Sequence, residues 1–266
     1  MCRIPVLCYH ALHAPGATYA QNDHVALESD LAMIMELGLN VISARHLAES
    51  LIYGRFDDVL NSVVITMDDG PNVDYYDTTL SEFGLIKSMH RILKDADVSG
   101  TSFVIASPQA RTELDRTCIA DRDEWRDDWW RSAAEEGVLS IGNHSWDHNH
   151  IAISCRILMD READNFHVVD DESSADIQIK KAQRYIASKA GPKVQPLFAY
   201  PYGHANDYLV RAYFPSKGED IGIIAAFSTG GEYAMPDTNR WCIPRFVCGE
   251  HWQSPEDLYS ILEETK

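Results

Sequence analysis

The sequence predicts an α/β fold, a parallel sheet with helices packed outside it. Short β-branched apolar runs alternate with amphipathic stretches along the whole chain, with no internal repeat and no linker rich in Pro, Gly or Ser. Three predicted strands end in clustered polar residues, at Asp68-Asp69-Gly70-Pro71, at His144-Ser145-Trp146-Asp147-His148 and at Tyr200-Pro201-Tyr202-Gly203. In parallel α/β sheets, strand C-termini are where sites are built. At 266 residues and 45% hydrophobic content the chain is long for one ordinary domain but suits an α/β barrel, so one domain over residues 1–266 is expected.

The elements follow in order. A strand at residues 4–9 leads through a polar loop to Asn22 and an amphipathic helix around 27–37, closed by Gly38. Residues 40–43 form a short strand, and Ser43 caps a helix running to about Tyr53. Residues 63–67 are apolar and β-branched and run into the acid pair. A helix around 87–96 passes through Gly100 into a strand at 101–106. Residues 107–136 read as an insertion whose second part, 123–136, is a helix rich in Trp, Asp and Arg. The strand 138–142 precedes the His cluster, and 151–174 is a second, polar insertion containing Asp170-Asp171-Glu172. A helix at 175–190 is stopped by Gly191-Pro192. Strands at 196–200, 221–226 and 242–247 and a helix at 255–263 complete the chain.

The net charge of −18 argues against a nucleic-acid partner and disfavours an anionic membrane surface. No apolar run approaches the roughly 20 residues of a membrane span, and no signal-peptide core follows Met1, so a cytoplasmic protein without membrane insertion is expected. Cys2, Cys8, Cys118, Cys155, Cys242 and Cys248 are scattered and form no Cys-x-x-Cys pair, which predicts reduced thiols and no structural zinc built from them.

The chemistry is concentrated at the strand ends. Adjacent carboxylates such as Asp68 and Asp69 repel one another and resist desolvation, costs that a nearby cation offsets. His144 and His148, at i, i+4 spacing, can face one way from a turn of helix or a tight loop. One Asp with two His suits a zinc-class divalent ion and leaves coordination positions open, while the second Asp stays available as a base.

These residues carry a resemblance. Thr66-Met67-Asp68-Asp69-Gly70 resembles the first motif of the polysaccharide deacetylases (NodB homology, carbohydrate esterase family 4), and His144-Ser145-Trp146-Asp147-His148 resembles their second. Phe198-Ala199-Tyr200-Pro201-Tyr202-Gly203 resembles the third, and the likeness runs from Ile4-Pro5-Val6-Leu7-Cys8-Tyr9-His10 to Ile243-Pro244-Arg245. It implies a distorted (β/α)7 barrel. It also implies Asp69, His144 and His148 as ligands of one divalent metal, with zinc preferred over cobalt or nickel, and Asp68 as general base. The backbone N–H of Tyr202 would stabilise the oxyanion, with Pro201, Gly203 and Trp146 as further substrate-binding candidates. The implied reaction hydrolyses the acetamide of an N-acetylated sugar, free or in an oligosaccharide, to amine and acetate.

Two departures stand out. The third motif usually places an Arg two residues before its Pro, where this chain has Ala199; Arg245 is the candidate to supply that charge, against a plain surface or ion-pair role. The family's Leu-x-His, which supplies the general acid, is not found. His251 after the last strand and His10 at the end of the first are the candidates, with His204 behind them. Trp125 and Trp129, at i, i+4 spacing and followed by Trp130, predict a helix face packed on the barrel, with a substrate lid as the functional alternative. Asp170-Asp171-Glu172 read as a solvated loop, with a cationic aminosugar site as the alternative. A metal-free hydrolase of cyclic amides or formamides and a catalytically inactive sugar-binding barrel are the competing functions.

Overall fold

The computed structural model describes residues 3–10, 16, 18–80, 84–119 and 122–265, which leaves Cys2 outside the described residues. Its strands are β1 (Val6–His10), β2 (Asn40–Ile42), β3 (Ser62–Asp68), β4 (Thr78–Leu80), β5 (Gly84–Ile86), β6 (Gly100–Val104), β7 (Leu139–Asn143), β8 (Leu197–Ala199), β9 (Ala225–Phe227) and β10 (Phe246–Val247). The parallel sheet runs β10–β1–β3–β6–β7–β8–β9, with β2 paired to β3 beside this path; β4 and β5 form a separate antiparallel pair. A bridge between Phe227 and Ile243 and the bond from Ser228 N–H to Ile243 O (2.8 Å) draw the segment before β10 against β9. The sheet therefore curls into the distorted barrel that the sequence predicts.

Side-chain alternation sorts the strands onto two faces. Val6, Val64, Phe103, Leu197, Ala199, Phe227 and Ile243 form one buried cluster within the curl. Leu7, Tyr9, Ile65, Met67 and Ile141 face the other way, onto the helices. Those helices are α1 (Asp23–Glu36), α2 (Ala44–Tyr53), α3 (Met89–Asp95), α4 (Pro108–Cys118), α5 (Trp130–Glu136), α6 (Glu172–Ala175), α7 (Ala182–Ala190), α8 (Phe214–Ile221) and α9 (Pro255–Glu263). Ser43 caps α2 as predicted, accepting from His46 N–H at 3.1 Å. Gly142 lets β6 and β7 close up, because a Cβ there would lie 2.6 Å from the Phe103 ring.

The structure departs from expectation in three stretches. The first insertion opens with α4, capped by Ser107, whereas its predicted helix begins only at Trp130 and residues 122–129 form a loop. The predicted helix at 175–190 starts earlier, at Glu172, and contains a π-helical turn, Asp176–Lys181. A second π-helical turn, Leu209–Tyr213, runs into α8, which the sequence hides behind Pro215 and Gly218. Both are accommodated: Pro215 lies in the first turn of α8, and Gly218 packs against the Trp241 ring, which would lie 2.6 Å from a Cβ. No described helix is long and apolar enough to cross a membrane.

Candidate active site

Asp68 is the last residue of β3 and lies opposite His10 of β1 in the register of the sheet. The chain then turns through Asp69 (φ +72°) and Gly70 (φ +69°). Gly70 is required twice over, by its backbone conformation and because a Cβ would lie 2.4 Å from Val104 Cγ1. Asp68 therefore sits inside the curl, 3% exposed, while Asp69 stands at its rim.

Arg245 meets Asp68 with both ends of its guanidinium, Nη1 to Oδ1 at 2.7 Å and Nη2 to Oδ2 at 2.6 Å. Further bonds to Thr66 Oγ1 (3.2 Å) and Ser228 O (3.1 Å) fix the fork, and Arg245 is fully buried. Burial alone would push the Asp68 carboxyl up. The Arg245 charge, then His144 and the paired hydrogen bonds, outweigh it and hold the group down at about 2. A surface role for Arg245 is thereby removed, and the ion pair it makes is with Asp68.

The His loop is built from β7 and held by the π-helical turn. Asn143 donates to Ile179 O (3.0 Å) and Gln183 Oε1 (3.1 Å), and its own Oδ1 accepts from Ser145 N–H at 2.9 Å. Ser145 Oγ accepts from His148 N–H at 3.0 Å. Asp147, between the two histidines, accepts from Gln178 Nε2 (2.6 Å), Asn149 N–H (3.0 Å) and Ile157 N–H (2.6 Å). Positive φ at Ser145, His148 and Asn149 shows a tight loop rather than a helix.

This loop brings His144 Nε2 and His148 Nε2 each to 3.6 Å from Asp69 Oδ1. Donors about 2.0–2.2 Å from a tetrahedral ion lie roughly 3.3–3.6 Å apart, so the two 3.6 Å separations suit one zinc-class ion, and all three donor atoms lie within 4.8 Å of one another. His144 Nδ1 lies 2.9 Å from Ala199 O, an acceptor, so the proton sits on Nδ1 and the Nε2 lone pair faces the other ligands. Burial, with the neighbouring His144, pulls His148 down to about 3, leaving it neutral as a ligand must be. Cys8, His10 and Asp68 also approach within bridging distance of one another, but the Arg245 guanidinium paired with Asp68 already neutralises that carboxylate and repels a second cation.

A cavity of about 270 Å³ opens at the strand C-termini, lined by Asp68, Asp69, His10, His144, His148, Tyr202 and Gly203 among others. Tyr202 (φ +58°) sits in the turn Pro201–Gly203, its ring centroid 4.4 Å from that of His148 and its hydroxyl donating to Asp164 Oδ1 at 2.9 Å. Gly203 (φ +68°) leaves room for Thr229, whose Oγ1 would lie 1.8 Å from a Cβ. Pro201 is buried and opens the turn without lining the cavity.

Two expectations need correcting. Trp146 points out of the site and packs between Tyr185 (5.8 Å between ring centroids) and Lys181, whose Nζ lies 3.5 Å from its ring centroid; the left-handed turn at Ser145 (φ +70°) breaks the alternation that would put 146 on the side of 144 and 148. His251 is absent from the cavity lining: the turn after Val247 folds it back, its Nδ1 accepting from Val247 N–H at 2.9 Å and its ring against Gly231. Asp170 and Asp171 are half-exposed and both paired with Arg161 (2.6 and 2.8 Å), in keeping with the solvated loop expected of them. His204 accepts from Phe166 N–H and stacks on His167, also outside the lining. Of the candidate acids, His10 alone reaches the cavity. Ile105, Leu114, Cys118, His150 and Glu250 line the cavity without having been expected there, and Trp125 lines it as the alternative to helix packing allowed. Glu250, just past the predicted strand at 242–247, carried a signal of its place, whereas Ile105 falls inside the predicted strand at 101–106 and carried none.

The chain superposes on a Streptococcus pyogenes deacetylase, PplD, determined with acetate, with a TM-score of 0.66 at 17% identity over 98% of each chain. It matches a de-N-acetylase from Aggregatibacter actinomycetemcomitans with a TM-score of 0.66 at 16% identity, covering 97% of this chain and 99% of the other. IcaB from Ammonifex degensii gives 0.66 at 16% identity over 100% and 97%. At these identities the likeness is one of fold. No protein of curated function matches the chain. The sequence pattern of the polysaccharide deacetylases matches residues 58–214, a stretch that contains all three polar strand ends and more than half of the chain. The protein belongs to the polysaccharide deacetylase family.

Proposed function

We propose that the protein is a metal-dependent N-deacetylase that hydrolyses the acetamide of an N-acetylated sugar or sugar-containing intermediate. Family membership makes it a hydrolase of carbon–nitrogen bonds. The observation that carries the finer reading is the convergence of Asp69, His144 and His148 on one point beside an ionised Asp68. The donor set suits one divalent ion of the zinc class, with cobalt or nickel as substitutes. Bound there, such an ion would lower the pKa of a water towards about 7 and polarise the acyl oxygen.

The chain's own residues supply the rest. Asp68 accepts the proton of the attacking water, and Arg245 keeps its carboxylate ionised and aimed into the cavity. His10, opposite Asp68 across β1 and β3 and in the cavity lining, is the candidate to protonate the leaving amine. The N–H of Tyr202, in the turn that lines the site, is the candidate oxyanion donor. Water adds its hydroxyl to the acyl carbon and one proton to the amine, giving acetate and a free amine. The −18 charge accommodates a neutral substrate and a cationic amine product more readily than an anionic ligand.

The test is metal content per chain on protein purified without chelator, beside Asp69→Ala, followed by acetate release from N-acetylated sugars. About one ion in the parent, lost in the variant, and metal-dependent acetate release are expected. A parent that refuses zinc, cobalt and nickel would sink the metal-dependent reading. A parent that binds metal and sugar but releases no acetate would make it a binding module.

A further inference from the structure

The loop at residues 122–129 has no regular secondary structure, yet buried polar side chains hold it from three directions. Asp115, 5% exposed near the end of α4, accepts from the N–H groups of Asp123 (2.9 Å) and Glu124 (2.7 Å). Arg111, 3% exposed, donates to Trp125 O (3.0 Å) and Asp127 Oδ2 (2.7 Å). Asn72, in the turn just beyond the acid pair, donates to Asp123 O (2.8 Å) and Glu124 O (2.6 Å) and accepts from Arg126 N–H (2.8 Å). The brace presents one indole to the site. Trp125 Nε1 donates to Asp69 O at 3.0 Å, and its ring lines the cavity, while Trp129 and Trp130 are fully buried core residues.

We propose that Trp125 is a specificity-determining residue, the fixed end wall that limits the length of the acyl group removed. The inference rests on the deacylase reading and follows from the strand order. Going round the curl, His10 stands on β1, Asp68 and Asp69 follow β3, and Ile105 follows β6 on the far side of the acids from His10. With the amide carbonyl at the Asp69–His144–His148 point and its nitrogen towards His10, the acyl chain points to the β6 side. That side is apolar: Ile105, Leu114 and Cys118 line the cavity there with Trp125. A wall anchored by this many hydrogen bonds yields little to a longer chain.

The experiment compares N-acetyl, N-propionyl and N-butyryl derivatives of one amino sugar, with the metal-loaded parent, Trp125→Ala and Leu114→Ala. Leu114→Ala opens the same end without touching the indole, and so covers the case in which Trp125→Ala fails to fold. The parent should lose about tenfold or more in kcat/KM per added methylene. Both variants should raise the butyryl-to-acetyl ratio of kcat/KM by about tenfold or more. Unchanged ratios with all three rates lowered together would overturn the inference, because a structural role or a platform for the sugar ring moves all substrates alike. A metal-loaded parent that cleaves none of the three would sink the deacylase reading and this inference with it. A parent that cleaves all three equally would sink the inference alone.

Discussion

Asp68 and Asp69 are neighbours in sequence with opposite settings, and single substitutions should separate them. Asp69 lies 3.6 Å from both imidazoles, so Asp69→Asn should lose metal and activity together. Asp68→Asn should retain metal and lose on the order of 10²–10⁴ in kcat, the usual share of a general base; metal loss in this variant would place Asp68 among the ligands instead. Arg245→Ala would leave a buried carboxylate without its cation, at a cost on the order of 3–5 kcal/mol read from urea unfolding at pH 7. The sign of the pH effect follows from the depressed Asp68 group. Its contribution to stability is complete above about pH 4 and is lost as pH falls towards 2. The destabilisation by Arg245→Ala should therefore shrink below pH 4, and a constant difference down to pH 2 would contradict the pairing. The acids and histidines were legible because each cluster breaks an apolar strand at its end. The pairing of Arg245 with Asp68 was legible only as a candidate, since the partners are 177 residues apart and meet because β10 returns beside β1.

At the scale of elements, the π-helical turn Asp176–Lys181 ties the helix ending in α7 to the His loop. Gln178 is fully buried and reaches Asp147, and Ile179 O accepts from Asn143. Gln178→Ala would take one of two donors from the buried Asp147 Oδ1 and the acceptor from Asp147 N–H, a loss of about 1–3 kcal/mol. It should also weaken metal affinity by about tenfold or more, as loss of a ligand-orienting partner does, measured by chelator competition. Weakened folding with unchanged metal affinity would show that the turn supports the fold alone. A helix at 175–190 was readable from its apolar spacing and its Gly-Pro stop, but one extra residue in a turn leaves no mark in composition. The Trp125–Trp129 spacing misled for a related reason. It matches a helix, yet bonds from Asp115, Arg111 and Asn72 hold those residues as a loop, and such partners lie beyond the reach of local periodicity.

Across the whole molecule, buried acids set against burial costs decide how stability varies with pH. Asp30 of α1 is fully buried and accepts from Tyr9 (2.8 Å) and Tyr19 (2.6 Å). Burial pushes its carboxyl up to about 6, the two phenols offsetting only part of the cost. The sign is opposite to that of Asp68: the folded state holds this proton more tightly, so stability falls as pH rises from about 4 to 6 and stays lower above that. The shift corresponds to on the order of 3 kcal/mol. His148 works the other way in metal-free protein, because its depressed folded value removes stability as pH falls below about 6.5. The total profile mixes the two, but the difference between the parent and Asp30→Asn isolates one. Asn keeps an acceptor for a phenol and carries no charge. The unfolding temperature of Asp30→Asn relative to the parent should therefore climb between pH 4 and 6 and level off above. Added salt should raise both proteins at pH 7 by screening the −18 net charge while leaving their difference in place, since a fully buried group is screened far less than the surface. A difference that is flat from pH 4 to 7 would mean that Asp30 does not titrate in this range. One that vanishes in salt would mean that it acts through the surface field rather than through burial.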